Sequence, residues 1–404
     1  MSLRPFFACA PAVVLRSDRA REYQRRVAAD GGQVFSMAAV EEAYDQAARW
    51  DLNPALTHWS SPQFGVRLAP DGTVSKRYCL FGHDAAPLVP GRHWTPVYAP
   101  GLPPQHLVGE ADRAFVAPPF AWPGRTLDAV VTCTQTSYAT TANYGFFLLF
   151  EGCPDWNVSA SFAMGIDVTQ GGHAAGVSNP LTLRTTNVVS PLGHPNSYAL
   201  ATNAHDATAP SVAFRYNTAP SPAPAPNNGW GSGAYDALPV YLGARGSNSA
   251  YYWAGTINDV FYTAQVLSDP ARAWLENQRW RYDATLPRPG TTVPSTDARW
   301  QELAGQWATT AAPDQPLVRY AEPDQAGRCD IGFYGKRVVV EHGSFGPARG
   351  HLYVDDVAQT DFAVSSPGQT TEIVCATLDY HTLSLRQDPA EGPTARGILH
   401  IYAG

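Results

Sequence analysis

The chain has 404 residues, too many for one ordinary domain, because single hydrophobic cores stop growing at roughly 250–300 residues; two or three domains are expected. Charged residues make up only 16%, Gly and Pro number 34 and 35, and the formal net charge is −7. That composition suits a turn-rich β protein better than helical bundles, and the negative balance offers no broad attraction to a phosphate backbone, so nucleic acid is excluded as a partner.

At the N-terminus a short apolar run is interrupted by Pro5 and Pro11 and runs into charged residues, which argues against a cleaved signal peptide. No stretch approaches the roughly 20 apolar residues needed to span a bilayer, so no membrane insertion is expected. Residues 19–50 carry the main helical signal, with Tyr23, Val27, Val40, Tyr44 and Trp50 set among Ala, Glu and Arg. Gly31-Gly32 divides it into a helical hairpin, since glycine ends helices by adopting a left-handed backbone. Residues 64–68 and 74–80 flank the turn dipeptide Asp71-Gly72 and predict a β-hairpin.

Residues 88–104 are proline-rich and cannot form a central strand; they read as a linker or covering loop. Strand patterns follow at 127–134, 145–150, 159–168, 181–189, 197–202, 212–216 and 240–242, as in two packed sheets. Between the last two lies a Pro/Ala then Gly/Asn loop, residues 217–233, expected to project from the fold. In 251–283 an aromatic strand is expected from Tyr251, broken at Gly255, with Ile257, Val260 and Tyr262 in a second extended segment. Ser268 then serves as N-cap, with Pro270 early in a helix over 271–280 that lies on a sheet. The proline-rich stretch 286–295 is a second linker, and a short helix is expected over 299–307. Short strands at 331–333, 337–341, 350–354, 372–376, 381–386 and 397–402 complete a second sandwich.

Three sets of residues carry resemblances. Tyr241-Leu242-Gly243 followed by Gly255, Ile257, Val260, Leu267 and Ser268 resembles the closing segment of laminin-G-like, concanavalin A-like lectin domains, which implies a sandwich over 105–285; an unrelated antiparallel sheet capped by a helix fits the same pattern. Tyr23, Arg26, Val27, Ala29, Asp30, Gly31 and Gly32, with the Asp71-Gly72 hairpin, resemble the entry segment of virion appendage proteins of tailed phages and gene transfer agents. An ordinary helical hairpin on its own ribbon would read the same way. Phe333, Gly335, Val338, Val340, Val354, Asp355, His381, Leu383 and Leu385 resemble the jelly-roll module that precedes the catalytic domain of some carbohydrate esterases, and the Gly-Asp-Ser of that domain does not occur here.

The expected fold is therefore mainly β: two β-sandwich (jelly-roll) domains, 105–285 and 296–404, preceded by a helical hairpin and β-hairpin in an assembly segment, 1–104. No Gly-x-Ser-x-Gly elbow, His-Glu-x-x-His or Walker loop occurs, so no catalytic residue is assigned. Asp355 and Asp356 are neighbours on a strand pattern, pointing to opposite faces, and cannot act together across a sugar bond. Lectin-like sandwiches often hold calcium through oxygen ligands, but no spacing singles out a site. The six cysteines, Cys9, Cys79, Cys133, Cys153, Cys329 and Cys375, show no Cys-x-x-Cys pair and read mostly as reduced thiols.

The informative excess is aromatic. Trp156, Trp230, Tyr334, Trp300 and Trp307 are the candidate sugar-stacking residues, each with an equally ordinary reading as an anchor for its own loop. Together these readings point to a non-enzymatic virion fibre or spike, exposed on the particle. Its expected partners are host capsular or lipopolysaccharide, other virion proteins and further copies of itself, as a trimer. A polysaccharide depolymerase or deacetylase and a decoration protein without glycan binding are the alternatives.

Overall fold

A computed structural model describes residues 17–108, 113–119, 126–137, 146–152, 162–167, 173–178, 181–189, 192–203, 211–220, 225–226, 239–244, 252–295, 297, 299–304, 307–310, 318–321, 327–342, 348–364, 368–387, 394–395 and 398–403. Helix α1, Asp18–Ala29, starts where the Ser17 hydroxyl accepts from the Ala20 amide at 3.1 Å. It ends at Asp30 and Gly31, whose φ of +75° is the left-handed conformation that glycine adopts without penalty. Helix α2, Met37–Arg49, is capped in the same way by Ser36 on Ala39. The ribbon Val66–Leu68 and Val74–Arg77 turns through Gly72, at φ +83°.

The first sandwich pairs two antiparallel sheets. One runs Ala219–Pro220, Ser211–Tyr216, Pro195–Asn203, Leu127–Gln135, Gly255–Thr263, Gln105–Leu107, Thr95–Val97. The other runs Leu181–Val189, His173–Ser178, Phe162–Asp167, Phe146–Gly152, Val240–Leu242, Phe115–Ala117, Ala86–Pro87. Val131, Phe150, Phe162, Leu242, Ile257, Val260 and Tyr262 belong to a core shared by the two sheets, where the Phe150 and Tyr262 rings lie 5.5 Å apart. Because side chains alternate along a strand, Val130, Ala199 and Phe261 face the other way. They join a second core with Ala20, Tyr23, Val27, Val40, Leu267, Ala271 and Leu275. Gly255–Thr263 is consequently buried along its whole length, with helices on one side and the facing sheet on the other.

Residues before 105 are woven into this sandwich. Thr57–Ser60 pairs with Gly255–Thr263, Ala86–Pro87 with Phe115–Ala117, and Thr95–Val97 with Gln105–Leu107. A boundary at residue 104 therefore cuts across both sheets. The proline-rich stretch supplies only edge strands, where a missing amide donor costs nothing. Gly255 opens its strand because a Cβ there would stand 2.1 Å from the Thr134 carbonyl oxygen. The aromatic strand expected from Tyr251 is absent among the described residues: Trp253 precedes Gly255–Thr263, fully buried, with its indole donating to the Thr256 carbonyl at 3.2 Å. The Ser268 hydroxyl accepts from the Ala271 amide at 3.4 Å, and α3, Asp269–Asn277, continues into a 3-10 turn, Gln278–Tyr282.

The C-terminal unit is built on two long strands, Gly327–His342 and Gln369–Gln387, paired antiparallel with a register shift between Gly335 and Arg337. Ala348–Val354 and Val357–Val364 extend the sheet on one side, Ile398–Tyr402 and Thr292–Val293 on the other. Ile331, Phe333, Val338, Val340, Leu383, Leu385, Leu399 and Ile401 form its core. The helix expected over 299–307 is not formed. Gln301–Ala304 instead pairs with Gly327–His342, and Trp307–Thr310 pairs with Val318–Ala321. The cause lies at Trp300, whose ring belongs to the core and whose indole donates to the Pro294 carbonyl at 3.2 Å, holding the backbone in a turn.

Candidate functional site

Trp156 and Trp230 lie outside the described residues, and Trp307 sits on the strand Trp307–Thr310 with its side chain outside them. Trp300 is a correction. It is 5% exposed and packs in the core, so it presents no face to a sugar. Tyr334 is half-buried on Gly327–His342, where its amide donates to the Pro287 carbonyl at 2.9 Å.

Around Tyr334 the fold gathers a stripe of aromatic and cationic groups. Register places Tyr380 opposite it, with ring centroids 5.0 Å apart and planes tilted by 59°. Arg288, from the segment joining the two units, lies 5.9 Å over the Tyr334 ring. Arg281, from the 3-10 turn, lies 5.4 Å over Tyr380 and 5.9 Å over Trp274 of α3, and is ion-paired with Glu42 of α2. The Trp274 indole donates to Asp379 at 3.0 Å, and its ring meets Trp50 edge-on at 5.5 Å. Burial pushes the Tyr380 phenol above its ordinary pKa while Arg281 and Arg288 pull it back. Beside the stripe, Ala39, Glu42, Trp59, Phe64, Trp274 and Arg281 line a cavity of about 10 Å³, room for at most one water. Sequence reading found Tyr334 alone; Tyr380, Arg281 and Arg288 sit in stretches with no local signal, and only register and packing bring them together.

The second polar concentration lies where α3 meets the C-terminal unit. Asp355 and Asp356 form the tip of a hairpin with φ of +53° and +67°, the two positive values a type I′ turn requires. Their carboxylates diverge. Asp355 accepts from Asn277 at 2.6 Å and the Thr382 amide at 2.9 Å, and lies 2.6 Å from His381 Nδ1. Burial would lower the His381 pKa, but the Asp355 carboxylate outweighs it and pushes the imidazole up to about 10. Asp356 is ion-paired with Arg386 and lies 3.4 Å from Arg215, which pairs at 3.0 Å with the fully buried Glu276. Arg328 is held by Asp330 at 2.7 Å. Arg279, pulled down to about 10 by burial, donates to the Glu276 carbonyl at 3.0 Å and to Thr382 at 3.3 Å. Trp280 donates to the same hydroxyl at 2.9 Å with its ring against Gly332, where a Cβ would stand 2.3 Å away. These carboxylates face cations and amides of their own chain, which makes the cluster a clamp between units.

Among the described residues no group of three His, Cys, Asp or Glu side chains is placed to hold a metal, and Cys79, Cys133 and Cys375 are buried thiols outside any disulfide.

No family model matches the sequence, and no curated protein matches it. Similar solved structures include domain 4 of AbnA, a GH43 extracellular arabinanase from Geobacillus stearothermophilus, in complex with arabinotriose; it is 12% identical over 45% of this chain and 81% of that one, at a TM-score of 0.33. The Ruminococcus gnavus IT-sialidase CBM40 bound to α2,3-sialyllactose is 21% identical over 36% of this chain and 78% of that one, at 0.29. Trypanosoma rangeli sialidase in complex with sialic acid is 12% identical at a TM-score of 0.41, over 61% of this chain, which spans only 39% of the sialidase. At such identities and scores none of these likenesses assigns an activity to the chain.

Proposed function

We propose that this protein is a non-enzymatic virion appendage, a head or tail fibre or spike made in the host cytoplasm and displayed on the particle, whose sandwich units bind host capsular or lipopolysaccharide. The observation that carries the reading is that the N-terminal motif closes as one unit. Arg26 binds both oxygens of Asp84 at 3.0 and 2.9 Å. Asp30 accepts from Tyr78 at 2.6 Å and Lys76 at 2.9 Å, bonds that pull its carboxyl down to about 2. Gly32 lies flat on the Tyr78 ring, where a Cβ would approach within 2.4 Å. The residues that carry the resemblance to virion appendages are thus the contacts that fasten α1 to its ribbon. Arginines engage the buried carboxylates of Asp128, Glu276 and Asp330, and Asp259 accepts from Thr132 and Tyr282, so each is taken up by its own chain, which supports a binding role over a hydrolytic one. Assembly as a trimer through the 1–104 segment would hold several weak sugar sites together and raise avidity by ~10²–10⁴.

The test incubates purified protein with capsular and lipopolysaccharide from candidate hosts and follows binding together with reducing-end and acetate release, with light scattering for subunit number. Binding without release, by a trimer, is expected. Released sugar or acetate would make the protein an enzyme, and no binding across the panel would leave a decoration protein.

A further inference from the structure

The stripe around Tyr334 has an uneven supply of hydrogen-bonding groups. Its carboxylates are engaged by the protein: Asp379 accepts from the Trp274 indole and from the Tyr380 amide at 2.7 Å, and Glu42 is paired with Arg281. What remains open is one guanidinium, which only donates, and two phenol hydroxyls. Neither the Tyr334 nor the Tyr380 hydroxyl makes a hydrogen bond among the described residues, and Arg288, exposed, has no carboxylate partner there. A neutral sugar hydroxyl can pair with the phenols, but it offers the guanidinium neither charge nor a second parallel acceptor. A carboxylate only accepts, and a planar guanidinium matches its two oxygens in parallel.

Arg288 is also held in place. It stands between Pro287 and Pro289, which fix the backbone on either side. Its amide donates to Thr291 Oγ1 at 3.2 Å, its carbonyl accepts from the Thr291 amide at 2.9 Å, and the Gly290 amide is tied to the Ile401 carbonyl at 2.8 Å. A donor positioned in advance loses less freedom on binding than one on a loose loop.

We propose that Arg288, Tyr334 and Tyr380 form a subsite for an acidic sugar residue, with the carboxylate on the Arg288 guanidinium and the tyrosine hydroxyls, and the pyranose against the exposed part of the Tyr334 ring. This rests on the glycan-binding reading above and narrows it to uronic-acid-type or other carboxylate-bearing polysaccharides. The chain's net charge of −7 repels such polymers at long range, so selectivity comes from this local patch and weakens with salt.

Isothermal titration of the full-length protein with trigalacturonate and with its methyl ester tests the proposal. The acid is expected to bind at least tenfold more tightly than the ester at low salt, with the difference shrinking as NaCl rises. Arg288→Gln should bind acid and ester alike, and Tyr334→Phe, which keeps the ring, should lose part of the preference. Arg337→Gln, which removes a guanidinium stacked 4.3 Å over Tyr402 elsewhere on the sheet, should leave the preference intact. Equal binding of acid and ester by the unmodified protein, or a preference that survives Arg288→Gln, overturns the subsite. If neither trisaccharide binds while host polysaccharide does, the acidic subsite falls and the glycan-binding reading stands; if host polysaccharide also fails, both fall.

Discussion

Trp280 fastens the C-terminal unit to the first sandwich, and its removal is expected to unfasten them. The ring is 2% exposed, packed on Gly332, with Arg279 stacked 4.4 Å from its centre and its N–H on Thr382. Truncation to Ala forfeits about 3–5 kcal/mol of core packing and about 2 kcal/mol of desolvated cation–π attraction. The lost hydrogen bond adds little, because Thr382 still donates to Asn277 at 2.6 Å. A loss of that size is comparable with the whole stability of a small domain, about 5–15 kcal/mol. In scanning calorimetry the unmodified protein should therefore melt in one coupled transition and Trp280→Ala in two, the C-terminal unit first. Trp280→Phe, which keeps most of the ring and loses only the donor, should cost about 1 kcal/mol. A Trp280→Ala protein that melts in one transition at the original temperature would refute the clamp.

Leu267→Ala, at a 5%-exposed position in the helix-covered core, should destabilise by about 2–5 kcal/mol in urea unfolding. Gly32→Val drives a side chain into the Tyr78 ring and should cost about 1–3 kcal/mol, read as a lower melting temperature. His58 and His106 are fully buried, and burial first, then the positive charge of Arg77, holds both well below their ordinary pKa. Since the unfolded chain takes up these protons at about pH 6.5 and the folded chain resists them, stability is whole above that pH and falls as pH drops below it. The urea midpoint should fall between pH 7.5 and 5.5, and fall less in His106→Phe; equal falls in both proteins would refute the assignment.

Local order was legible where one residue type decides it. The two helices follow from the spacing of Tyr23, Val27, Val40 and Tyr44 with Gly31 as the break, the ribbon from Gly72, and α3 from Ser268. What could not be read was which faces become covered. Nothing in the strand pattern around Phe261 announces that helices from both ends of the sandwich segment meet on it. Trp300 looked like a sugar platform because its sequence neighbours are polar, yet its surroundings are set by Val293, Ile331 and other residues distant in sequence. Asp355 and Asp356 read as opposite faces of a strand; the structure makes them the tip of a turn, and the carboxylates still part company, for a different reason.

The proline-rich stretch 286–295 looks like the natural place to cut or to graft another module, and the clamp makes it a poor one. Ending the chain there would take Asp355 from Asn277 and Asp356 from Arg215, and leave Glu276, Arg279 and Trp280 facing solvent they are not shaped to meet. Exchanging α3 and its 3-10 turn together with the C-terminal unit would not spare the network either, because Arg215 of the first sandwich pairs with both Glu276 and Asp356, and Asp128 with Arg272. The first sandwich, α3 and the C-terminal unit thus behave as one piece for truncation and exchange alike.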